Sequence, residues 1–180
     1  EPSPAVALLD QPYTVTAAQQ EQFREDGFIK LANVFDAETL SYFEREITAL
    51  TLANNPQANT AMADRDTYSK AFIQVGNLWG KGEEAKRLTF SRRLAGIAAT
   101  LLGTRGVRLW HDQALYKEPS GGFTPWHVDQ QYWPMASSLS VTAWIPLHAV
   151  PLEQGPLSFG RGSHRKRIGR DLAISDESEQ

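Results

Sequence analysis

The feature that most constrains the fold is a change of hydrophobic pattern near Gly106. Before this point, apolar residues recur at three- and four-residue steps, as at Leu40, Phe43, Ile47 and Leu50, which is typical of a helix packed on a core. After it, short runs rich in strand-forming residues alternate with turns that contain Gly and Pro. Helices followed by short strands predict an antiparallel β-sandwich or barrel with helices packed outside.

Capping residues divide the first half into helices. Thr16 and Gln19 form a capping-box pattern, and Gly27 fits the left-handed position that ends a helix. Asp36 and Ser91 predict the N-termini of two further helices, because their side-chain oxygens can accept from backbone N–H groups. The residues of the last helix that are expected to face inward are Leu94, Ile97, Ala98, Leu101 and Leu102.

Short strands are predicted from runs of β-branched and aromatic residues bounded by turn signals. These runs lie at 28–31, 71–75, 107–117, 138–145 and 157–159. Within 138–145, alternation places Ser140, Thr142 and Trp144 on one face. This face combines two hydroxyls with one large aromatic ring, which favours a lined pocket over a dry core.

Length and composition favour one domain of 180 residues, with a helical part at about 1–105, strands at about 106–164 and a loop or tail at 165–180. The aromatic content of 10% excludes a disordered chain, and the absence of cysteine excludes disulfides and suits the reducing cytoplasm. A net charge of −3 gives no case for a nucleic-acid partner, and no apolar run is long enough for a membrane span. Because no closing strand precedes Gln180, we expect the domain to continue beyond it.

The chemistry of the chain centres on His127 and Asp129. On an extended segment, residues two apart point the same way, so an imidazole and a carboxylate converge. With a second histidine they would form the two-His-one-carboxylate triad of non-haem Fe(II) enzymes, which leaves positions for a chelating 2-oxo acid and O₂. A His-x-Asp tripeptide also arises by chance, and the alternative is a loop histidine held by a nearby carboxylate.

Three longer motifs surround this pair in a fixed order. They are TPWHVDQQYWP at 124–134, TAWIPL at 142–147 and QGPLSFGRGSH at 154–164. A fourth motif, FREDGFI at 23–29, precedes them in the predicted helical part. Together they span about 16–164, and this ordered set resembles the phytanoyl-CoA dioxygenase family of Fe(II)/2-oxoglutarate-dependent oxygenases.

The resemblance implies a mainly β double-stranded β-helix (a jelly roll, cupin-like) with flanking helices. It implies an enzyme that oxidises a small organic molecule with Fe(II), O₂ and 2-oxoglutarate as cosubstrate, releasing succinate and CO₂. His127 and Asp129 would be the first two iron ligands. The third histidine and the arginine that binds 2-oxoglutarate are expected beyond Gln180, whereas His111, His148 and His164 are expected to be structural.

The resemblance also suggests a cosubstrate pocket and a substrate wall. Hydroxyl and amide side chains could hydrogen-bond a carboxylate, and aromatic residues could exclude water. The cosubstrate candidates are Gln74, Gln113, Tyr116, Ser140, Thr142 and Trp144. The substrate candidates are Gln131, Tyr132 and Trp133. Gln74 departs from the basic residue that some relatives carry there, and each of these side chains could instead satisfy strand neighbours or pack a core.

Other functions fit the same pattern. An oxidative epimerase or cyclase of the same fold would use the same ligands, and a non-catalytic binding module or a fragment would lack the third ligand. A halogenase is disfavoured because Asp129 is present, and a cupin-like isomerase is disfavoured because its histidine spacing is absent. The sequence identifies neither the substrate nor the oligomeric state.

Overall fold

The computed structural model describes residues 4–133, 135–166 and 173–174, and its first half is helical. The α-helices are α1 (Pro4–Ala7), α2 (Ala17–Asp26), α3 (Ala37–Ala53), α4 (Thr67–Ala71), α5 (Glu83–Thr89) and α6 (Arg92–Leu102). Sequence analysis predicted α2, α3 and α6 and missed α1, α4 and α5. Within the described residues, no helix combines the length and apolarity that crossing a membrane requires. Most of the predicted tail at 165–180 lies outside the described residues.

The predicted caps are confirmed. Thr16 and Gln19 exchange both hydrogen bonds of a capping box at the start of α2, and Gly27 ends that helix at φ 86°. Asp36 caps α3 by accepting from a backbone N–H, and Ser91 does the same for α6. Each cap satisfies a backbone donor that would otherwise lack a partner, so short local signals are enough to fix these helix ends.

The main hydrophobic core lies between α3 and a small sheet. Phe43 and Ile47 are buried, and Leu40 and Leu50 pack beside them, which confirms the predicted stripe. The buried members of this core are Leu9, Phe35, Phe43, Ile47, Ile73, Val75, Leu78, Ala85 and Ala114. A second cluster of Val15, Ile97 and Leu101 joins α6 to the segment before α2.

The sheet consists of β1 (Ile73–Gly76) and β2 (Gln113–Tyr116) in antiparallel register. Gln74 lies opposite Leu115, and Gly76 lies opposite Gln113. Because Ile73 and Val75 are buried in the core, the alternating residues Gln74 and Gln113 lie on the other face of the sheet. The register therefore places two predicted site residues side by side.

The remaining predicted strands are not formed in the described part of the chain. No described strand pairs with residues 28–31, 138–145 or 157–159. The mainly β expectation is therefore not confirmed, because the described residues form helices and a two-stranded sheet. Alternation predicts which side chains share a face, but a strand also needs a neighbour for its backbone N–H and C=O groups. Ile145 and Leu147 nevertheless reach the main core, which fixes the path of this segment.

Candidate active site

His127 and Asp129 converge as their spacing predicts. Val128 between them is extended, with φ −119° and ψ 120°, and Asp129 begins a short 3₁₀ turn at Asp129–Gln131. His127 Nε2 lies 3.4 Å from Asp129 Oδ1. The side chain of His127 is 29% exposed and that of Asp129 is 46% exposed, so the pair is accessible from solvent.

Two further contacts orient the pair. The Nδ1–H of His127 donates to the Pro125 carbonyl at 2.8 Å, so in the neutral ring the lone pair belongs to Nε2, the nitrogen that faces Asp129. Thr142 Oγ1 donates to Asp129 Oδ2 at 3.3 Å, which leaves Oδ1 directed at the imidazole. The hydrogen bond to Asp129 raises the pKa of His127, and partial burial opposes that rise. Protonated Nε2 donates to Asp129, whereas in the neutral ring Nε2 offers a lone pair beside Asp129 Oδ1, so the pair favours a cation in either state.

The loop that leads into the pair is anchored by Lys117. Its ammonium donates to the carbonyls of Ala71 and Gly122 at 3.1 and 3.0 Å, and burial lowers the pKa of Lys117. At Gly121, a Cβ would lie 2.9 Å from two backbone oxygens, one of them that of Lys70, so the tight turn has no room for a side chain. These contacts fix where the extended segment with His127 begins.

The amide candidates meet on one face of the sheet. Gln74 Nε2 donates to Gln113 Oε1 at 2.5 Å, and the Tyr68 hydroxyl donates to Gln74 Oε1 at 2.8 Å. Tyr116 lies on the opposite, core-facing side, where its hydroxyl shares a hydrogen bond of 2.7 Å with Thr48 Oγ1 of α3. The structure therefore brings Gln74 and Gln113 together and separates Tyr116 from them. Sequence analysis missed Tyr68.

The three residues predicted to share a pocket face have different surroundings. Thr142 contacts Asp129, as described above. Ser140 is half-buried, and its backbone N–H donates to the Ser138 carbonyl at 2.9 Å. Trp144 is 45% exposed. Of these three residues, only Thr142 contacts the His127–Asp129 pair in the described structure.

The substrate candidates follow the pair on one turn. The backbone N–H of Gln131 donates to Val128, and that of Tyr132 donates to Asp129, at 3.0 and 2.9 Å. The Trp133 ring meets His111 edge-on, with ring centroids 6.0 Å apart. This turn holds the three side chains next to Asp129, and their contact with a substrate remains a prediction.

No third ligand joins the pair among residues 4–133, 135–166 and 173–174, where no group of three His, Cys, Asp or Glu side chains could hold a metal ion. His111 packs on Trp133, and His148 Nδ1 donates to the Ala149 carbonyl at 2.8 Å. His164 lies at the end of α2 instead. That these three histidines are structural stays a prediction.

The turn with His164 closes the C-terminal end of α2. His164 Nε2 donates to the Arg24 carbonyl at 3.1 Å, and the Gly162 N–H donates to the Asp26 carbonyl at 2.8 Å. Arg165 donates to the carbonyls of Arg24 and Glu25. The last carbonyls of a helix lack partners within it, so this turn satisfies them and attaches the second half of the chain to the first.

Gly27 gives a test of this attachment. We expect Gly27→Ala to lower the free energy of unfolding by about 2 kcal/mol, half from the left-handed backbone and half from displacing His164. The reason is that Gly27 has φ 86° and an added Cβ would lie 2.2 Å from His164 Nδ1. Urea denaturation followed by circular dichroism measures the loss.

Gly103 supplies the matched control, since it ends α6 at φ 66° and an added Cβ would meet nothing within 4 Å. Gly103→Ala should cost only the backbone part, about 1 kcal/mol. In a His164→Ala background, the excess cost of Gly27→Ala should disappear. Equal costs for the two glycines in the native background would contradict the contact.

The family to which these features belong is shown by comparison with known proteins. The phytanoyl-CoA dioxygenase family model matches residues 23–180. The chain therefore belongs to this family, as its ordered motifs suggested.

Individual curated proteins match the chain at low sequence identity. The chain is 23% identical over 161 residues to a probable alpha-ketoglutarate-dependent hypophosphite dioxygenase of Stutzerimonas stutzeri, a match that covers 84% of this chain and 54% of the relative. It is 26% identical over 161 residues to an ectoine dioxygenase of Sphingopyxis alaskensis, with 84% and 50% covered. The chain thus spans about half the length of these relatives. No solved structure matches it significantly.

Proposed function

We propose that this chain carries the iron-binding part of an Fe(II)/2-oxoglutarate-dependent dioxygenase that hydroxylates a small organic molecule. The observation that carries the proposal is the approach of His127 Nε2 to Asp129 Oδ1 at 3.4 Å, with both atoms presenting lone pairs to one position. Membership of the phytanoyl-CoA dioxygenase family and the dioxygenase names of the curated relatives support it.

The donor set fits Fe(II) as far as the described residues extend. An imidazole nitrogen and a carboxylate oxygen are two members of the facial triad that non-haem iron uses. When bound, iron and 2-oxoglutarate would supply the electrons that activate O₂, which is the oxidant of the reaction. His127 and Asp129 are the two ligands proposed among the described residues.

The protein's contribution at this site is orientation. The Pro125 carbonyl holds the Nδ1–H of His127, which commits Nε2 to the metal. The Thr142 hydroxyl holds Oδ2 of Asp129, which commits Oδ1 to the same position. Both ligands are therefore preorganised by neighbours on separate segments of the chain.

All but one of the remaining candidates keep their assigned roles in the proposal. Gln74, Gln113, Ser140, Thr142 and Trp144 would contribute to the 2-oxoglutarate pocket, and Gln131, Tyr132 and Trp133 would face the substrate. Tyr116 is left out of the pocket, because its hydroxyl lies on the core-facing side of the sheet against Thr48. The relatives named for hypophosphite and ectoine have substrates that share little except small size. A small molecule is therefore the substrate class proposed here.

A jelly roll is the proposed fold of the region at about 106–164. Exposed apolar side chains support it, since a soluble protein rarely leaves many of them grouped in one region. In this region they include Phe123, Trp126, Leu139, Trp144, Leu157 and Phe159. We propose that Phe123, Trp126, Leu139, Leu157 and Phe159 face the interior of this jelly roll.

The test is an anaerobic titration of the purified protein with Fe(II) and 2-oxoglutarate. We expect a weak visible charge-transfer band that saturates with 2-oxoglutarate, because chelation of the 2-oxo acid requires an assembled iron site. Glutarate, which lacks the 2-oxo group, should give no band. A folded protein, verified by circular dichroism, that gives no band at saturating ligand would overturn the proposal for this chain.

A further inference from the structure

One buried arginine ties the segment between α3 and α4 to the turn that follows β2. The Arg65 side chain is only 7% exposed, and its guanidinium pairs with the carboxylate of Glu118. Its Nε also donates to the Thr60 carbonyl at 3.1 Å, and its Nη2 donates to the Gln57 carbonyl at 3.4 Å. Because a guanidinium can only donate and keeps its charge, the direction of each contact is fixed. Arg65 therefore holds Glu118 from a separate part of the chain.

Glu118 opens a turn whose backbone is unfavourable by itself. The Gly121 N–H donates to the Glu118 carbonyl at 3.0 Å, and the Gly122 N–H donates to the Lys70 carbonyl of α4 at 2.7 Å. Ser120, inside the turn, has φ 62°, a left-handed conformation that is unfavourable for a residue with a side chain. Such a conformation persists only where its neighbours hold it. The ion pair at Glu118 is one of these holds, and the Lys70 carbonyl is another.

The turn leads directly to His127. The Lys117 ammonium donates to the Gly122 carbonyl and to Thr124 Oγ1 at 3.0 and 3.4 Å, so this short stretch stays beside the end of β2. Pro125 comes next, and because its ring fixes φ, the direction of its carbonyl depends on where Thr124 lies. That carbonyl accepts from His127 Nδ1 at 2.8 Å. A shift of the turn is therefore passed on to the imidazole.

The second proposed ligand is oriented from elsewhere. Asp129 Oδ2 accepts from Thr142 Oγ1 at 3.3 Å, and Thr142 belongs to a later segment of the chain. The two ligands thus have separate supports. A change in the turn at 118–122 should act on His127 and leave the support of Asp129 in place.

We propose that Arg65 is a positioning residue for His127. Its ion pair with Glu118 holds the turn at 118–122, the turn sets the place of the Pro125 carbonyl, and this carbonyl fixes which ring nitrogen carries the proton. The inference goes beyond the proposed function and rests on it in one respect, that His127 binds the metal. Without the ion pair, the Pro125 contact loosens and the ring proton moves to Nε2, the nitrogen that is needed for the metal.

The first arm of the test needs no metal. Nuclear magnetic resonance of the full chain with isotope-labelled histidine, at a pH where imidazole is neutral, reports which ring nitrogen carries the proton. We expect the Nδ1–H form of His127 to dominate in the wild type and the Nε2–H form to gain in Arg65→Met. The signals are assigned by their loss in His127→Ala. An unchanged tautomer in folded Arg65→Met would overturn the inference.

The second arm measures the affinity for Mn(II), used in place of Fe(II), by electron paramagnetic resonance of the free ion. Arg65→Met should weaken Mn(II) binding by about tenfold, the lower end of the effect of residues behind a metal ligand. Glu118→Gln should act in the same direction, because it removes one charge of the pair while the contacts of Arg65 with Thr60 and Gln57 remain. The double variant should lose no more than Arg65→Met alone, since both changes break the same pair.

Arg93 supplies the matched control, because it is also a buried arginine that donates to backbone carbonyls. These are the carbonyls of Val34, Gln11 and Pro12. Arg93→Met should lower stability but leave the His127 tautomer and the Mn(II) affinity of the folded protein unchanged. Equal losses of Mn(II) affinity in Arg93→Met and Arg65→Met, both folded by circular dichroism, would overturn the inference, because both would then act through stability alone.

Glu118→Gln keeps the test decisive if Arg65→Met does not fold, since it preserves the shape of a side chain that is 28% exposed. A wild-type tautomer and affinity in Glu118→Gln would overturn the inference. Failure of the wild-type protein to bind Mn(II) would overturn the proposed function instead. A tautomer shift in Arg65→Met would in that case still support the positioning of His127, so the two failures are distinguishable.

Discussion

Asp129→Ala is expected to lower the affinity for Mn(II), used in place of Fe(II), by more than about 100-fold, since changes to residues behind a metal ligand already reach roughly 10–100-fold. The carboxylate supplies one of the two lone pairs that meet in the site, and its Oδ1 lies 3.4 Å from the His127 nitrogen. The side chain is 46% exposed, so its removal should leave the fold intact. Electron paramagnetic resonance of free Mn(II) measures the affinity, and circular dichroism reports folding.

Two further variants test whether the loss of affinity is specific to Asp129. Thr142→Val removes the hydrogen bond to Asp129 Oδ2 without touching a ligand, and it should weaken Mn(II) by about tenfold. Asp10→Ala removes an exposed carboxylate that is paired only loosely, at 3.9 Å, with Arg92, and it should change nothing. Similar affinities for wild type and Asp129→Ala would remove Asp129 from the ligand set.

The helices were predictable because their signals are local. The N-caps Thr16, Asp36 and Ser91 act on backbone groups within three residues, so they work wherever the helix packs. The missed helix α4 has the same kind of signal, because its N-cap, Asp66, accepts from the backbone N–H of Ser69. A search of the sequence for N-caps before residue 71 would have found this helix.

The strands were less predictable because pairing is not local. The run at 71–75 became β1 only because 113–116 lies beside it, and the run at 138–145 has no such neighbour among the described residues. Alternation in a sequence states which side chains share a face, and the partner strand decides whether a ladder forms. The mainly β expectation therefore depended on contacts that the pattern does not contain.

The candidate site was likewise predictable where it depends on local backbone geometry and not where it depends on distant contacts. The approach of His127 and Asp129 followed from an extended backbone over three residues. The neighbourhood of Gln74 and Gln113 depends on strand register, and the hydrogen bond from Tyr68 to Gln74 depends on the position of α4 beside β1. Residue type alone could nominate the glutamines but could not show which side chains they contact.

Arg93→Ala is expected to lower the free energy of unfolding by about 4 kcal/mol, because it leaves several backbone carbonyls without their donor. The Arg93 guanidinium is buried and donates to the carbonyls of Val34, Gln11 and Pro12 at 2.6, 3.0 and 2.9 Å. It also lies over the Tyr13 ring. Urea denaturation measures the loss, and sequence analysis gave no sign of this role because arginines are usually exposed.

Arg92 on the same helix is the matched control, since its side chain is 85% exposed. Arg92→Ala should change stability by less than about 0.5 kcal/mol. Arg93→Lys should recover only part of the loss, because an ammonium keeps the charge but cannot reproduce the planar fork that reaches three carbonyls. Equal effects at the two arginines would mean that charge, rather than the geometry of these hydrogen bonds, holds the N-terminal segment. The geometry predicts that Arg93→Ala detaches the segment around Gln11 while α6 persists, which hydrogen exchange at those amides would reveal.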